Sequence, residues 1–224
     1  MRLSVIVPTL NEAGTVAATL LALQPWRGDR CELIVVDGGS CDGTVAWAAP
    51  LADRVIASAP GRARQMNVGA AAAGGQALWF LHADTRVPPA AVPALRAALN
   101  EAGWGRFDVC LSGGHPLLRV IERAMNLRSR WSGIATGDQG LFMRRDWFEQ
   151  AGGFPDIELM EDVALSRCLR RRGRPACLEV ALETSSRRWE RDGILRTLLL
   201  MWWLRLAFAC GADPAALARH YRHG

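Results

Sequence analysis

Four short runs rich in branched and aromatic residues, Leu3 to Val7, Glu32 to Val36, Arg54 to Ala57 and Leu78 to Leu81, are separated by alanine-rich segments of helical length. Strands spaced by helices join through right-handed crossovers, and such crossovers place the strands side by side in a parallel sheet. This pattern predicts an α/β fold, with a helix over Gln65 to Ala73 leading into the fourth strand. In such sheets ligands sit where the strands end at their carboxyl side, so the residues just past each run are the first to inspect. A chain of 224 residues, half of them hydrophobic and 22% charged, can bury a sizeable core and fits one such domain better than two.

The second half is less regular. A strand is expected at Phe107 to Leu111, a helix from Leu117 to about Arg128 and a short strand around Gly140 to Arg144. Met160 to Arg172 has helical spacing, with Met160, Val163, Ala164 and Cys168 on one side, and Gly173 and Pro175 stop it. Internal repeats and low-complexity tracts do not stand out.

The formal charge is +5, and every basic residue other than histidine is arginine, because the chain has no lysine. Arginine's planar fork suits phosphates and carboxylates, although biased composition explains a lysine-free chain as well. Basic residues do not alternate with aromatics as a nucleic-acid stacking platform requires, so nucleic acid is set aside as a partner. Cys31, Cys41, Cys110, Cys168, Cys177 and Cys210 are scattered singly, without the pairing of a zinc site or a disulfide framework. Together with an N-terminal apolar run too short for a signal peptide, this points to the cytoplasm. The most apolar stretch, Ile194 to Phe208, has an uncharged core between Arg196 and Arg205 far below the ~20 residues that span a bilayer. Two readings of it stay open, a core helix packed on the sheet, which is the expectation, and an interfacial helix at the inner membrane face.

The strand ends carry the chemistry. The first run leads into "VPTLNEAGT", with Pro8, Asn11 and Glu12, in place of the glycine fingerprint of a dinucleotide fold. The second ends in "VVDGGSCDGT", where Asp37 either accepts a hydrogen bond from a base or ribose or caps the turn. "APGRARQMNVGA" brings Arg62, Arg64 and Asn67 to the start of a helix, a place suited to a pyrophosphate. The fourth run ends in "LHADT": Asp84 suits Mg²⁺ or Mn²⁺, and His82 is either a second ligand or a hydrogen-bonded structural histidine.

"SVIVPTLNE", "VVDGGSCDGT", "GRARQMNVGA", "LHADT" and "MEDVALSRCLRRRG" follow one another in the order found in family 2 glycosyltransferases. From the first strand to about Gly173 the chain resembles their GT-A type nucleotide-sugar transferases. The variants "GRARQMN", "LHADT" and "SSRRWERDG" are most similar to a small bacterial subgroup, some members of which are associated with arsenosugar biosynthesis. The resemblance implies a single GT-A domain over 1–224, with a nucleotide-sugar-binding half at 1–88, an acceptor and catalytic half at 89–185 and a C-terminal helical segment at 186–224. It implies that Pro8, Glu12 and Asp37 line the nucleoside pocket and that Arg62, Arg64 and Asn67 lie near the nucleotide and its phosphates. Asp84 matches the last aspartate of the family's D-x-D metal motif, and His82 replaces the first.

Asp162 matches the second acid of the family's E-D pair, the expected base, with Glu161 beside it; acids in the first turn of a helix also stabilise its dipole. Asp138, in "TGDQG", corresponds to a segment beside the acceptor site, or belongs to a plain turn. Arg187 and Arg188 close over the diphosphate, form a solvated basic patch or face anionic lipid. The implied reaction moves a sugar from a nucleoside-diphosphate sugar, a UDP-sugar by preference, to an acceptor hydroxyl with inversion, using Mn²⁺ or Mg²⁺. Two rivals are a nucleotidylyltransferase, disfavoured by the missing glycine-rich loop and lysine, and a non-catalytic nucleotide-sugar or membrane-surface binding module.

Overall fold

A computed structural model describes residues 1–28 and 30–223. Its strands are β1 (Leu3–Thr9), β2 (Cys31–Asp37), β3 (Arg54–Ala57), β4 (Ala77–Phe80), β5 (Trp104–Leu111), β6 (Phe142–Arg144) and β7 (Ala176–Thr184). They form one seven-stranded sheet in the order β3-β2-β1-β4-β6-β5-β7. Only β6 runs against its neighbours, so the other six strands end at one edge. The sheet is flanked by helices, as the strand–helix alternation requires.

The helices are α1 (Val16–Leu23), α2 (Thr44–Ala48), α3 (Arg62–Ala72), α4 (Ala91–Glu101), α5 (Pro116–Ser132), α6 (Arg145–Gln150), α7 (Glu161–Arg170), α8 (Arg187–Asp192), α9 (Ile194–Ala209) and α10 (Pro214–His223). Successive strand residues point to opposite faces: Val5, Val7, Leu33, Val35 and Trp79 meet α1 and α4, while Ile6, Ile34, Val36, Leu78 and Phe80 meet α3, α6 and α7. Because both faces are covered, the central strands read as continuous apolar runs without alternation. Pro8 is tolerated inside β1 because β4 pairs with that strand only as far as Ile6.

Several boundaries differ from those expected, each for a local reason. The helix expected to begin at Gln65 begins at Arg62, directly after Gly61, whose φ of 137° turns the chain out of β3. Met160 is not in its helix: it takes φ 70° at the N-cap, and α7 stops at Arg170. Gly140 does not start a strand but turns the chain at φ 56° ahead of β6. The helix expected to end near Arg128 runs to Ser132, where Gly133 stops it at φ 65°.

The expectation of a core helix at Ile194 to Phe208 is overturned. Only Thr197 and Leu204 of α9 are buried, and Leu199 and Trp202 are 69% and 70% exposed. The sheet is already covered by other helices, so α9 packs on α5, α7 and α10 through one side alone. No helix among the described residues is long and apolar enough to cross a membrane. Helices α8, α9 and α10 occupy the stretch assigned to a C-terminal segment, whose last position, 224, lies outside the described residues.

Candidate functional site

The carboxyl edge of the sheet gathers residues from four strand ends. The loops after β1 and β2 are laced together: Asn11 N–H donates to Ser40 Oγ (2.8 Å), Cys41 N–H to Asn11 Oδ1 (2.9 Å), Glu12 N–H to Thr44 Oγ1 (2.7 Å) and Ala13 N–H to Asp42 Oδ2 (3.1 Å). Asn11 takes φ 56° to make this turn, a conformation in which asparagine is enriched. From α3, Gln65 Nε2 donates to the carbonyls of Thr9 and Val36, both at 2.8 Å, and so fixes the two strand ends to one helix.

Asp37 ends β2 and is 6% exposed. Its oxygens accept from Thr9 Oγ1, Gly39 N–H, Ser40 N–H and Ser40 Oγ at 2.5 to 3.2 Å. Burial works to raise its pKa, and the hydrogen bonds led by Ser40 outweigh it, leaving the carboxylate below its ordinary range. All four lone-pair sites are thus occupied, and Asp37 acts as the post of the Gly38–Gly39 turn. A base contact requires exchange of one of these bonds.

Glu12 and Asp84 come together across Arg187. One guanidinium nitrogen of Arg187 stands 3.5 Å from Glu12 Oε2 and 3.7 Å from Asp84 Oδ2. Thr15 Oγ1 donates to the same Glu12 oxygen at 2.8 Å. Arg188, the next residue, turns away: it stacks on the Tyr221 ring, 3.6 Å from its centroid, donates to the Tyr221 carbonyl and pairs with Asp192. The two arginines of "SSRRW" therefore serve different places.

The residues expected near the phosphates from α3 reach toward α7, Arg62 to its first residue and Arg64 and Asn67 to the segment before it. Arg62 stands 3.6 Å from Glu161 Oε1, Arg64 pairs with Asp156 at 3.1 Å, and Asn67 exchanges two hydrogen bonds with the Phe154 backbone, at 2.7 and 3.0 Å. Asn67 uses both ends of its amide to hold that loop.

A second group of charges lies around Gly137. Asp162 Oδ2 accepts the Gly137 N–H at 2.6 Å, and Oδ1 accepts the Val163 N–H at 2.6 Å. A Cβ on Gly137 would stand 2.7 Å from His82 Nε2 and 3.6 Å from Asp162 Oδ2, so glycine is required by close approach. His82 thus faces the Asp162 side, and among the described residues it makes no hydrogen bond to Asp84. Its Nε2 is buried without a partner, and burial, with Arg62 nearby, pushes its pKa down to about 3, keeping the ring neutral.

Glu161, 2% exposed, is pushed up to about 7 by burial and then by the Asp162 charge, with Arg62 opposing. Asp138 is raised by burial and by Asp162, against a hydrogen bond from Thr136, and its Oδ1 has no partner. Arg128 and Arg205, on α5 and α9, complete the group; sequence patterning missed both because each lies in a helix far from the strand-end motifs. Only Arg205 carried a sequence signal, a charge within the apolar run of α9.

Solved structures share this architecture. The mannosyltransferase PcManGT from Pyrobaculum calidifontis, solved with GDP-Man and Mn²⁺, superposes with a TM-score of 0.70 at 22% identity, covering 96% of this chain and 66% of that one. S. aureus TarS 1-349 gives 0.68 at 20% identity over 83% and 61% of the two chains. Glucosyl-3-phosphoglycerate synthase from Mycobacterium tuberculosis, solved with Mn²⁺, UDP and glucosyl-3-phosphoglycerate, gives 0.64 at 24% identity over 95% and 81%. In sequence, the Mycobacterium tuberculosis (strain CDC 1551 / Oshkosh) protein MT1568 is 30% identical over 192 residues, 72% of this chain, which spans 59% of that relative's length. The model of the family described as glycosyl transferase family 2 matches residues 4–150, and with well over half of its length matched the chain belongs to that family.

Proposed function

We propose that the chain is an inverting transferase that moves a sugar from a nucleoside-diphosphate sugar, UDP-linked by preference, to an acceptor hydroxyl. One observation carries this reading: the strand-end carboxylates Glu12 and Asp84 converge on Arg187, while Asp162 is held on the other charged group of the site by the Gly137 N–H. A transferase of this kind needs both poles, one to accept a departing diphosphate and one to take a proton from the attacking hydroxyl. The neighbours solved with UDP, GDP-Man and divalent metals support the donor class.

The donor set fits a hard divalent cation that takes its remaining ligands from phosphate and water. Asp84 and Glu12 already share one cationic atom, and among the described residues no three His, Cys, Asp or Glu side chains gather into a closed cage. Asp84, with Glu12 beside it, would hold Mn²⁺ or Mg²⁺, which supplies charge neutralisation to the diphosphate when bound. Arg187 swings from the two carboxylates to the diphosphate as negative charge develops there. The loops pinned by Asn11 and Asp37 wall the nucleoside side, with Pro8 at its floor.

At the other pole, Asp162 removes the hydroxyl proton as the oxygen bonds to the anomeric carbon and the bond to the diphosphate breaks on the opposite face, so configuration inverts. The Gly137 and Val163 N–H groups, one on each oxygen, hold the Asp162 carboxylate in one orientation. Glu161, pushed toward neutrality, limits the negative charge beside that base. The "LHADT" and "SSRRW" variants support membership of the small bacterial subgroup described in the sequence analysis, with action at the cytoplasmic membrane face and α9 as the peripheral contact.

The test is calorimetric titration of UDP, GDP, CDP and TDP, each with Mn²⁺ and with EDTA. UDP is expected to bind tightest and to lose affinity in EDTA, and Asp84→Asn should abolish the metal dependence. Asp162→Asn should keep UDP binding and lose transfer by roughly 100-fold or more. Full transfer by that variant sinks the proposed base, and metal-independent binding moves the diphosphate onto the arginines.

A further inference from the structure

Among the described residues, nine of the fourteen exposed large hydrophobic side chains lie on two helices: Leu117, Val120, Leu127 and Trp131 on α5, and Leu195, Leu199, Trp202, Trp203 and Leu206 on α9. Ile194 and Leu198 cluster with Leu118, Ile121 and Met125, and roughly three turns further along α9 Arg205 acts on Arg128. The helices therefore lie side by side and run the same way. At roughly 100° per residue, the exposed stripe of each falls about a quarter turn from its side facing the other, on the same flank of the pair. The two stripes flank the seam where α9 meets α5.

Arg128 and Arg205 stand in that seam. Neither guanidinium forms a salt bridge or hydrogen bond among the described residues, and Arg128 Nη2 is buried without a partner. Arg128 also lines a concavity of about 540 Å³ together with Ala124, Leu127, Trp131 and Ser132. Burial lowers the pKa of both arginines, and each lies in the field of Asp138 and Asp162. The two half-buried cations have no carboxylate in direct contact, only the field of Asp138 and Asp162, and they stand between apolar walls next to the Asp162 pole.

We propose that the acceptor is an anionic amphiphile: its phosphate or carboxylate sits on Arg128 and Arg205, its hydroxyl reaches Asp162, and its hydrocarbon lies along the stripes of α5 and α9. The acceptor role rests on the transferase reading, while binding of the amphiphile does not. A membrane surface alone accounts for the apolar stripes and leaves the two unpaired arginines unexplained. A saccharide or small polar metabolite accounts for the arginines and leaves the stripes bare.

The experiment measures binding of the full chain to phosphatidylcholine vesicles with and without phosphatidylglycerol, by sedimentation and by the shift in tryptophan emission. Phosphatidylglycerol should strengthen binding about tenfold or more. Arg128→Gln/Arg205→Gln should remove that preference, and the charge-matched Arg123→Gln/Arg196→Gln, on exposed positions of the same helices, should keep it. Trp131→Ser/Trp202→Ser should weaken binding to both vesicles. Where the first double variant does not fold, Arg205→Gln alone serves.

Equal loss in the two arginine pairs overturns the proposal in favour of general charge attraction. Binding to neither vesicle overturns it outright. Displacement by soluble glycerol phosphate at the same effective concentration assigns the arginines to a free anion and also overturns it. UDP titration of the same preparations reports on the donor reading separately, so failure there leaves the vesicle result interpretable.

Discussion

Glu161 shows how one buried carboxyl ties stability to pH. Its folded pKa, pushed to about 7 by burial and the Asp162 charge, lies above its ordinary 4.5. Between those values the folded state holds the proton and the unfolded state does not, so stability is present below about 4.5 and is lost as pH rises through about 7. Glu161→Gln removes this loss. The stability of the variant relative to wild type, from urea denaturation, should therefore rise across that window and level off above it. Gly137 is constrained by space: with His82 Nε2 2.7 Å from where a Cβ would stand, Gly137→Ala should destabilise by about 1–3 kcal/mol, read by the same method. At this scale the sequence reading singled out Asp84, Glu161 and Asp162, because strand ends and helix starts can be located from periodicity. It left open whether Asp37 meets a base or caps the turn, since the partners that fill its lone pairs depend on the turn's geometry.

Among the elements, α3 does more than cover the sheet. Gln65 ties it to the ends of β1 and β2, while Arg64 and Asn67 reach the loop that delivers α7 and Arg62 reaches the first residue of α7. Removing the Asn67 amide leaves the N–H and C=O of Phe154 without their partner, a loss of about 1–3 kcal/mol. Asn67→Ala should lower denaturation stability and transfer while leaving UDP affinity unchanged; weakened UDP binding at unchanged stability would return Asn67 to the phosphates. Helix α9 illustrates the limit of reading elements from composition. Its apolar residues run all round the helix, the mark of a buried one, yet with the sheet already covered it had only one side to bury.

For the whole molecule, the site draws on β1, β2, β4 and β7 through Glu12, Asp37, Asp84 and the Arg187 that follows the last strand. A ligand that bridges those ends binds only the folded chain, so UDP with Mn²⁺ at a hundred times its Kd should stabilise the protein by about 2.7 kcal/mol. Asp84→Asn should lose most of that gain in a thermal melt. The sequence by itself determined the mostly parallel α/β sheet and the edge at which its strand-end motifs gather, because strand and helix periodicities and glycine turns are local properties of the chain. Only the tertiary structure decided that Arg187 and not Arg188 meets Glu12 and Asp84, that His82 faces Asp162, and that Arg128 and Arg205 stand unpaired in the seam between α5 and α9. Those outcomes depend on which distant segments share the available space, and a linear pattern carries no record of that competition.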